Sequence, residues 1–269
     1  MIADIGGRRF EWGSRTYVMG IVNVTPDSFS GDGLGEDYEK AIAQGMRMAK
    51  EGADFLDVGG ESTRPGHLPI SIAEEISRTE KVVRKLAKAS GVPVSIDTYK
   101  IEVAEAAVTA GATMLNDIWG LRRSPALAEL AARKGCALVL MHNQDGTNYE
   151  GDIMDEIERF LRHAGRRAVD AGVPRERVLI DPGIGFGKTA EHNWIVMRRL
   201  EELKEVGDPI LIGTSRKSFI GKLLDLPVTE RLEGTAATIT AAILRGVDVV
   251  RVHDVQAMTR VVRVADNMR

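Results

Sequence analysis

The sequence predicts an α/β fold, a TIM (β/α)8 barrel that forms a single domain over residues 1–269. Eight short apolar runs alternate along the chain with stretches of helical period, and both faces of these runs are apolar. Strands buried on both faces are typical of parallel sheets covered by helices. The length of 269 residues is close to the roughly 250 residues of one such barrel. We therefore favour a closed barrel over an open doubly wound sheet, although the number of units fits both.

The first element is an N-terminal segment, residues 1–15, which we expect to form a small hairpin or a lid under the barrel. The eight predicted strands follow in the order YVMGIVNV, DFLDVGG, VPVSIDT, TMLNDI, ALVLMH, RVLIDPG, PILIGTS and VDVVRVHD. Each run ends in polar residues or glycine, which is typical of a strand that leaves a buried sheet. No Pro/Ser-rich linker marks a second domain.

Helical periodicity fills the segments between these runs. Ser71 and Glu74 have the spacing of a capping box at the start of one helix. Its apolar face, expected to be buried, comprises Ile72, Ile76, Val83 and Leu86. An earlier stripe, also expected in the core, comprises Tyr38, Ile42, Met46 and Ala49. Glycines stand where helices should end, at Gly111, Gly172 and Gly246.

Composition and charge exclude several classes of partner. The net charge is −3 and the pI about 6.0, so the chain lacks the basic surface that nucleic acid or an anionic membrane would require. The sequence shows no apolar run of about 18 residues and no signal peptide at its start, so we expect a cytoplasmic protein. Cys136 is the only cysteine, and we expect it in the core.

Polar residues close all eight apolar runs. In a (β/α)8 barrel the carboxyl ends of the strands form the active site, so these residues are the candidates for chemistry. They are Asn23, the turn 61–64, Asp97, Asn116, His142, Asp181, Lys217, and Arg251 with His253.

Two of these strand ends are cationic and predict an anionic ligand. Period-two alternation places Arg251 and His253 on one face of the last strand, where they fit a phosphate clamp. The alternative is that Arg251 pairs with a carboxylate of a neighbouring strand. Arg216 and Lys217 stand at the start of a predicted helix, where Ser218 and the free backbone N–H groups can bind a carboxylate or a phosphate; the alternative is a solvated basic turn.

Other chemistries fit the sequence less well. The segment DPGIGFGKT fails as a P-loop because Pro182 stands where the first glycine is required. The carboxylates Asp97 and Asp181 could serve a glycosidase, but aromatic residues make up only 5% of the chain and sugar subsites favour stacking rings. The five histidines show no zinc-ligand spacing.

Several segments together resemble the dihydropteroate synthase family. They are MGIVNVTPDSFSGDG, DVGGESTRPG, VSIDTYK, NDIWG, LMHN, DPGIGFGKT, GTSRKSFIG and RVHDV, and they stand in the family's order. The resemblance implies a barrel that condenses (7,8-dihydropterin-6-yl)methyl diphosphate with 4-aminobenzoate to give 7,8-dihydropteroate and diphosphate, with Mg²⁺ as cofactor. It also implies a homodimer.

The resemblance assigns roles to residues of this sequence. Asn23 is the implied magnesium ligand. The implied pterin diphosphate site comprises Thr63, Asp97, Asn116, Asp181, Lys217, Arg251 and His253, of which Asp97, Lys217, Arg251 and His253 are the implied catalytic residues. The implied 4-aminobenzoate site comprises Arg64, Pro65, Phe186, Lys217 and Ser218.

One departure from the family's pattern and two alternatives stay open. Gly31 shifts Asp32 by one position in the first loop, so Asp32 is left out of the metal assignment. A pterin-binding methyltransferase domain would share the Asp and Asn contacts to pterin but would not require SRKSFIG or RVHDV. A non-catalytic paralogue would bind pterin without turnover. A late apolar stripe, Leu232, Ala236, Ile239 and Ile243, is either a dimer surface or faces the barrel.

Overall fold

Eight parallel strands form the centre of the molecule in the computed structural model, which describes residues 1–24, 34–62 and 68–269. In chain order, after a hairpin of β1 (Ile2–Ile5) and β2 (Arg8–Glu11), the strands are β3 (Tyr17–Asn23), β4 (Phe55–Gly59), β5 (Val94–Asp97), β6 (Met114–Asp117), β7 (Ala137–Met141), β8 (Val178–Asp181), β9 (Leu211–Ile212) and β10 (Val249–Val252). Neighbours pair in the order β8-β7-β6-β5-β4-β3-β10-β9.

The two outer strands of that order, β8 and β9, meet and close the sheet. A parallel bridge joins Ile180 to Ile210, and the Ile180 N–H donates to the Pro209 carbonyl at 2.9 Å. The predicted (β/α)8 barrel is therefore confirmed, and its eight strands lie in the eight apolar runs.

Helices cover the outside of the barrel. They are α1 (Leu34–Lys50), α2 (Ile72–Ala89), α3 (Ile101–Ala110), α4 (Ala126–Lys134), α5 (Ile153–Asp170), α6 (Ala190–Arg198), α7 (Ser218–Leu224), α8 (Leu232–Leu244) and α9 (Val255–Asp266). The outward side chains of the strands pack against these helices in one large apolar core, which includes Cys136 as predicted. No helix of the described ranges is both long enough and apolar enough to cross a membrane.

The predicted helix ends are confirmed, but two predicted stripes are partly wrong. The Ser71 side chain accepts a hydrogen bond from the Glu74 N–H at 3.2 Å, which is one half of a capping box, whereas the Glu74 carboxylate binds Arg78. Gly111 ends α3 in the left-handed region at a φ of 114°. Ile72 is 39% exposed in the first turn of α2. On α1, Tyr38, Ile42, Met46 and Ala49 are half-buried, and the fully buried positions are neighbouring ones such as Ala41 and Met48.

The interior of the barrel has an apolar floor. Strand alternation turns one residue from the amino-terminal half of most strands inward, and these residues form a separate core cluster. Phe10 and Trp12, from the end of the N-terminal hairpin, close this floor from below. The Phe10 ring stacks on the Phe55 ring with centroids 4.4 Å apart. The hairpin therefore fills the bottom of the barrel and leaves the top for chemistry.

Candidate active site

Above the apolar floor the barrel interior becomes polar. Asp57 and Asp97 lie two residues beyond inward-facing positions of β4 and β5. Asn116 is the last residue but one of β6, Asp181 closes β8, and Arg251 lies on β10. Because alternate residues of a strand point to the same face, all five side chains point into the barrel. The alternation that builds the apolar floor therefore also brings the polar side chains together at the mouth.

Arg251 forms two ion pairs at the centre of this layer. Its Nε donates to Asp57 Oδ2 at 2.6 Å, and its Nη2 donates to Asp97 Oδ2 at 2.8 Å. Arg251 thus pairs with carboxylates, but they lie on β4 and β5, whereas the neighbours of β10 in the sheet are β3 and β9. Its contact with a phosphate stays a prediction. A guanidinium has five N–H donors, so these two bonds leave donors for a ligand. Arg251 is thus held between two carboxylates.

Asp57 is a component of the site that the sequence analysis missed. Its side chain is completely buried and accepts hydrogen bonds from Arg251 and from Asn116 Nδ2, the latter at 2.9 Å. It therefore orients two residues of the predicted pterin site. The run DFLDVGG contains the pattern that predicts this position. Asp57 stands two residues after Phe55, which points inward, so strand alternation turns Asp57 inward as well. Asp57 lies in the middle of β4 and not at its end, so the rule that polar residues close each strand does not find it.

The carboxylates of this layer are partly unsatisfied. Burial raises the pKa of Asp97, and the neighbouring carboxylate of Asp57 adds to this effect against the attraction of Arg251. Within the described chain, Asp57 Oδ1, Asp97 Oδ1 and Ser95 Oγ are buried and have no hydrogen-bond partner. Buried polar atoms normally have partners. These three acceptors therefore suit a ligand that presents N–H donors inside the barrel.

Asp181 and Lys217 face each other across the place where β8 and β9 meet. Asp181 is buried and its Oδ1 accepts a hydrogen bond from the Gly183 N–H at 2.7 Å; burial raises its pKa, against the attraction of Lys217. Lys217 donates to the Ile184 carbonyl and lies 4.8 Å from the centroid of the Phe186 ring. Burial lowers the pKa of Lys217 to about 8, although Asp181 opposes this shift.

The beginning of α7 is less basic than the sequence suggested. Ser218 is exposed at the first residue of α7. Arg216 turns away from this point, in the left-handed region at a φ of 58°, and pairs with Asp254 through two hydrogen bonds. Of the two adjacent cations, only Lys217 faces the mouth of the barrel.

His253 and Asn23 lie at the rim of the mouth. His253 Nδ1 lies 3.0 Å from Ser215 Oγ, which fixes the ring at the end of β10. Asn23 is half-buried at the end of β3. A Cβ placed on Gly59 would lie 3.8 Å from both Asn23 Oδ1 and Asp97 Oδ2, so the glycine leaves a space between an amide oxygen and a carboxylate.

This space fits the implied Mg²⁺. Magnesium prefers oxygen ligands and commonly takes only one or two from protein, with phosphate oxygens and waters completing its shell. The described residues contain no cluster of three acidic, His or Cys side chains that would bind the ion without a substrate. A magnesium ion held by Asn23 would therefore depend on a diphosphate.

Several predicted positions lie outside the described residues. Thr63, Arg64 and Pro65 are among them, as are Gly31 and Asp32. A cleft of about 570 Å³ opens beside the polar layer. It is bordered by Phe186 and by the described residues that flank positions 63–65.

Comparison with known proteins decides the family. The family model described as pterin binding enzyme matches residues 19–253. The chain is 49% identical over 97% of both chains to a dihydropteroate synthase of Clostridium beijerinckii. The chain belongs to the dihydropteroate synthase family. The matched segment runs from β3 to the end of β10 and contains every site residue described above.

Solved structures of the family have the same fold. The Clostridium difficile dihydropteroate synthase, crystallised in the presence of pteroic acid, superposes with a TM-score of 0.94 at 49% identity, covering 96% of this chain and 98% of that one. The Xanthomonas albilineans dihydropteroate synthase with 4-aminobenzoic acid superposes with a TM-score of 0.93 at 41% identity, covering 99% and 97%.

Proposed function

We propose that this chain is the transferase that condenses (7,8-dihydropterin-6-yl)methyl diphosphate with 4-aminobenzoate, giving 7,8-dihydropteroate and diphosphate. The observation that carries the proposal is the buried polar layer of Asp57, Asp97, Asn116, Asp181 and Arg251, in a chain 49% identical to a dihydropteroate synthase along nearly its whole length. One relative has been solved in the presence of pteroic acid, which is a pteroate like the product of this reaction. Another has been solved with 4-aminobenzoic acid, which is one of the substrates.

The pterin ring fits the unsatisfied part of the layer. Its amino-pyrimidinone edge carries both N–H donors and acceptors, so carboxylates can accept from it while an amide and an ammonium donate to it. Asp181 and Asn116 would bind this edge, with Asn116 oriented by Asp57 at 2.9 Å. Lys217 would meet the acceptors of the ring.

Charge separation during the reaction matches the charges of the site. The bond between the exocyclic methylene carbon and the diphosphate oxygen breaks, and the diphosphate keeps the electron pair. The cation left on the pterin would lie near Asp97, while Arg251 and His253 would donate to the departing diphosphate. Magnesium held by Asn23 would neutralise the diphosphate oxygens. The amine of 4-aminobenzoate then forms the new C–N bond and loses a proton.

The second substrate would lie beside the aromatic wall of the mouth. The Phe186 ring lies against Lys217, next to the exposed Ser218 at the start of α7. We propose that Phe186 contacts the ring of 4-aminobenzoate while Lys217 and Ser218 bind its carboxylate. Arg64 and Pro65 are proposed to complete this subsite from the loop after β4.

The late apolar stripe of α8 is divided between the barrel and the surface. Ile239 and Ile243 are completely buried and face the barrel, whereas Leu232 is 37% exposed and Ala236 is half-buried. The homodimer stays a prediction, as does the cytoplasmic location.

Diphosphate release tests the proposed function. Purified protein with pterin diphosphate and Mg²⁺ should release diphosphate in a manner that depends on 4-aminobenzoate. We expect Lys217→Ala and Arg251→Ala each to lower kcat/KM by about 100-fold or more, because each removes a buried cation that faces the reacting groups.

The same assay separates the alternatives. Tight binding of pterin diphosphate without diphosphate release would identify a non-catalytic paralogue. Binding of methyltetrahydrofolate that is independent of Mg²⁺, without binding of the diphosphate, would identify a methyltransferase domain.

A further inference from the structure

Lys188 is a buried cation that the mechanism above does not use. It follows the glycine-rich turn after β8, and only 8% of its surface is exposed. Within the described chain no carboxylate oxygen lies within 4 Å of its ammonium group. Nζ instead lies 2.9 Å from His142 Nδ1 and donates to the Phe186 carbonyl at 3.1 Å. Burial lowers the pKa of Lys188 to about 7, because a buried charge without a counter-ion in contact is costly to the fold. The retention of a lysine at this position therefore calls for a physical reason.

The partner of Lys188 on β7 is a neutral histidine. In its charged form Lys188 can only donate, so His142 Nδ1 is then the acceptor and the ring is uncharged. Burial lowers the pKa of His142 to about 2, with Lys188 and Arg122 contributing. The ring packs edge-on against Phe160 at 5.1 Å, which fixes its orientation. Lys188 is thus attached to a rigid point at the end of β7.

The turn 182–187 rests directly on this point. Gly183 has a φ of 73°, and a Cβ placed there would lie 1.9 Å from the His142 carbonyl oxygen. This close approach leaves no space for a side chain, so the turn is in van der Waals contact with the end of β7. The other contacts of the turn are hydrogen bonds from side chains to its backbone carbonyl and N–H groups.

Five side chains bind that backbone. Asp181 Oδ1 accepts from the Gly183 N–H at 2.7 Å. Asn193 Oδ1 accepts from the Gly185 N–H at 2.7 Å, and the Tyr149 hydroxyl donates to the Gly187 carbonyl at 2.9 Å. Lys217 donates to the Ile184 carbonyl from the mouth of the barrel. Lys188 donates from the opposite side to the carbonyl of Phe186, whose ring forms the wall of the mouth.

We propose that Lys188, supported by His142, is a positioning residue that holds the Phe186 ring in the wall of the 4-aminobenzoate subsite. The inference rests on the proposed function and deepens it, because it names a determinant of the second substrate's affinity. The proposed role of Lys188 requires no contact with either substrate. Its effect reaches the mouth through one backbone carbonyl.

Hydrogen exchange tests the positioning without turnover. In Lys188→Met the amide hydrogens of residues 183–187 should exchange about tenfold faster, because the turn loses one of the five side chains that bind its backbone. Lys134→Met is the matched control, since Lys134 is exposed in the last turn of α4, and it should leave this exchange unchanged. Unchanged exchange in a folded Lys188→Met protein would overturn the inference, whether or not the chain is active.

A double-mutant cycle tests the link to the substrate. Lys188→Met and Phe186→Ala should each raise the KM for 4-aminobenzoate about tenfold, and the double variant should show little more than either alone, because both remove the same contact. Lys134→Met combined with Phe186→Ala should match Phe186→Ala alone. Effects of Lys188→Met and Phe186→Ala that multiply to about a hundredfold would contradict the proposed coupling.

A second variant keeps the test decisive. If Lys188→Met does not fold, Lys188→Arg retains a donor and should raise the KM for 4-aminobenzoate by only about threefold. The inference would be contradicted if each of these variants that folds had a KM for 4-aminobenzoate within the error of wild type. Failure of the wild-type chain to release diphosphate would contradict the proposed function instead, and the hydrogen-exchange result would still decide the role of Lys188.

Discussion

At the scale of single residues, the site depends on carboxylates that act on other side chains. Asp57 illustrates this, because it is fully buried and binds Arg251 at 2.6 Å and Asn116 at 2.9 Å. A ligand that contacts the latter two residues would bind groups whose orientation Asp57 has already fixed. Preorganised donors and cations stabilise developing charge more effectively than mobile ones.

Replacing Asp57 tests this role. In Asp57→Asn we expect kcat to fall by about 100-fold, because Arg251 loses a charged partner and its orientation. Asp54→Asn is a matched control, since Asp54 is also buried and ion-paired, with Arg15, but lies at the opposite end of the barrel. Steady-state kinetics and urea unfolding should show both variants destabilised and only Asp57→Asn impaired in turnover.

The lowered pKa of Lys217 predicts the alkaline limit of activity. The pKa is lowered to about 8, so the free enzyme loses this cation as the pH rises through about 8. We expect kcat/KM for 4-aminobenzoate to fall above that pH, because kcat/KM reports on groups of the free enzyme. In Lys217→Arg the cation persists, and the fall should move to higher pH. A pH profile identical to that of wild type would assign the limit to another group.

The sequence predicted those site residues that stand at the ends of strands. Asp97, Asn116, Asp181, Lys217 and Arg251 were found because polar residues that close apolar runs meet at one edge of a parallel barrel. Their assignment to individual substrate groups stays a prediction. Contacts between distant segments were not predictable in the same way. His142 and Lys188 meet only through the packing of two loops, and no spacing in the chain indicates that contact.

At the scale of elements, the N-terminal hairpin separates stability from chemistry. β1 and β2 stand before the repeating units, and the Phe10 ring packs between Phe55 and Tyr17 at the bottom of the barrel. The periodicity of the units predicted the strands and the helix ends. It could not predict which helical stripe faces the barrel, since neighbouring stripes of α1 are both apolar.

Removing the Phe10 ring tests this separation. Phe10→Ala should lower the free energy of unfolding by about 3–5 kcal/mol, because it leaves a cavity in a closed floor. Both KM values and kcat should stay within about twofold of wild type, since the floor does not contact the polar layer. Ile2→Ala, at an exposed position of β1, should change the free energy of unfolding by less than about 1 kcal/mol. Denaturant unfolding and diphosphate release measure the two effects.

At the scale of the whole molecule, the barrel is least extensively paired between β8 and β9. β9 has two residues, and one bridge, from Ile180 to Ile210, joins it to β8 in the part of the chain that the structure describes. Asp181 and the turn with Phe186 follow β8, while Lys217 follows β9. The proposed pterin and 4-aminobenzoate subsites consequently draw on both sides of this junction.

Ligand binding across the junction of β8 and β9 affects the stability of the whole barrel. A molecule bound by Asp181 on one side and by Lys217 on the other binds only when β8 and β9 are adjacent. Binding to the closed form alone lowers the population of forms in which the junction is open, by mass action. The free energy of substrate binding thus also contributes to keeping the eight strands in one closed ring, at the junction where the backbone itself contributes least.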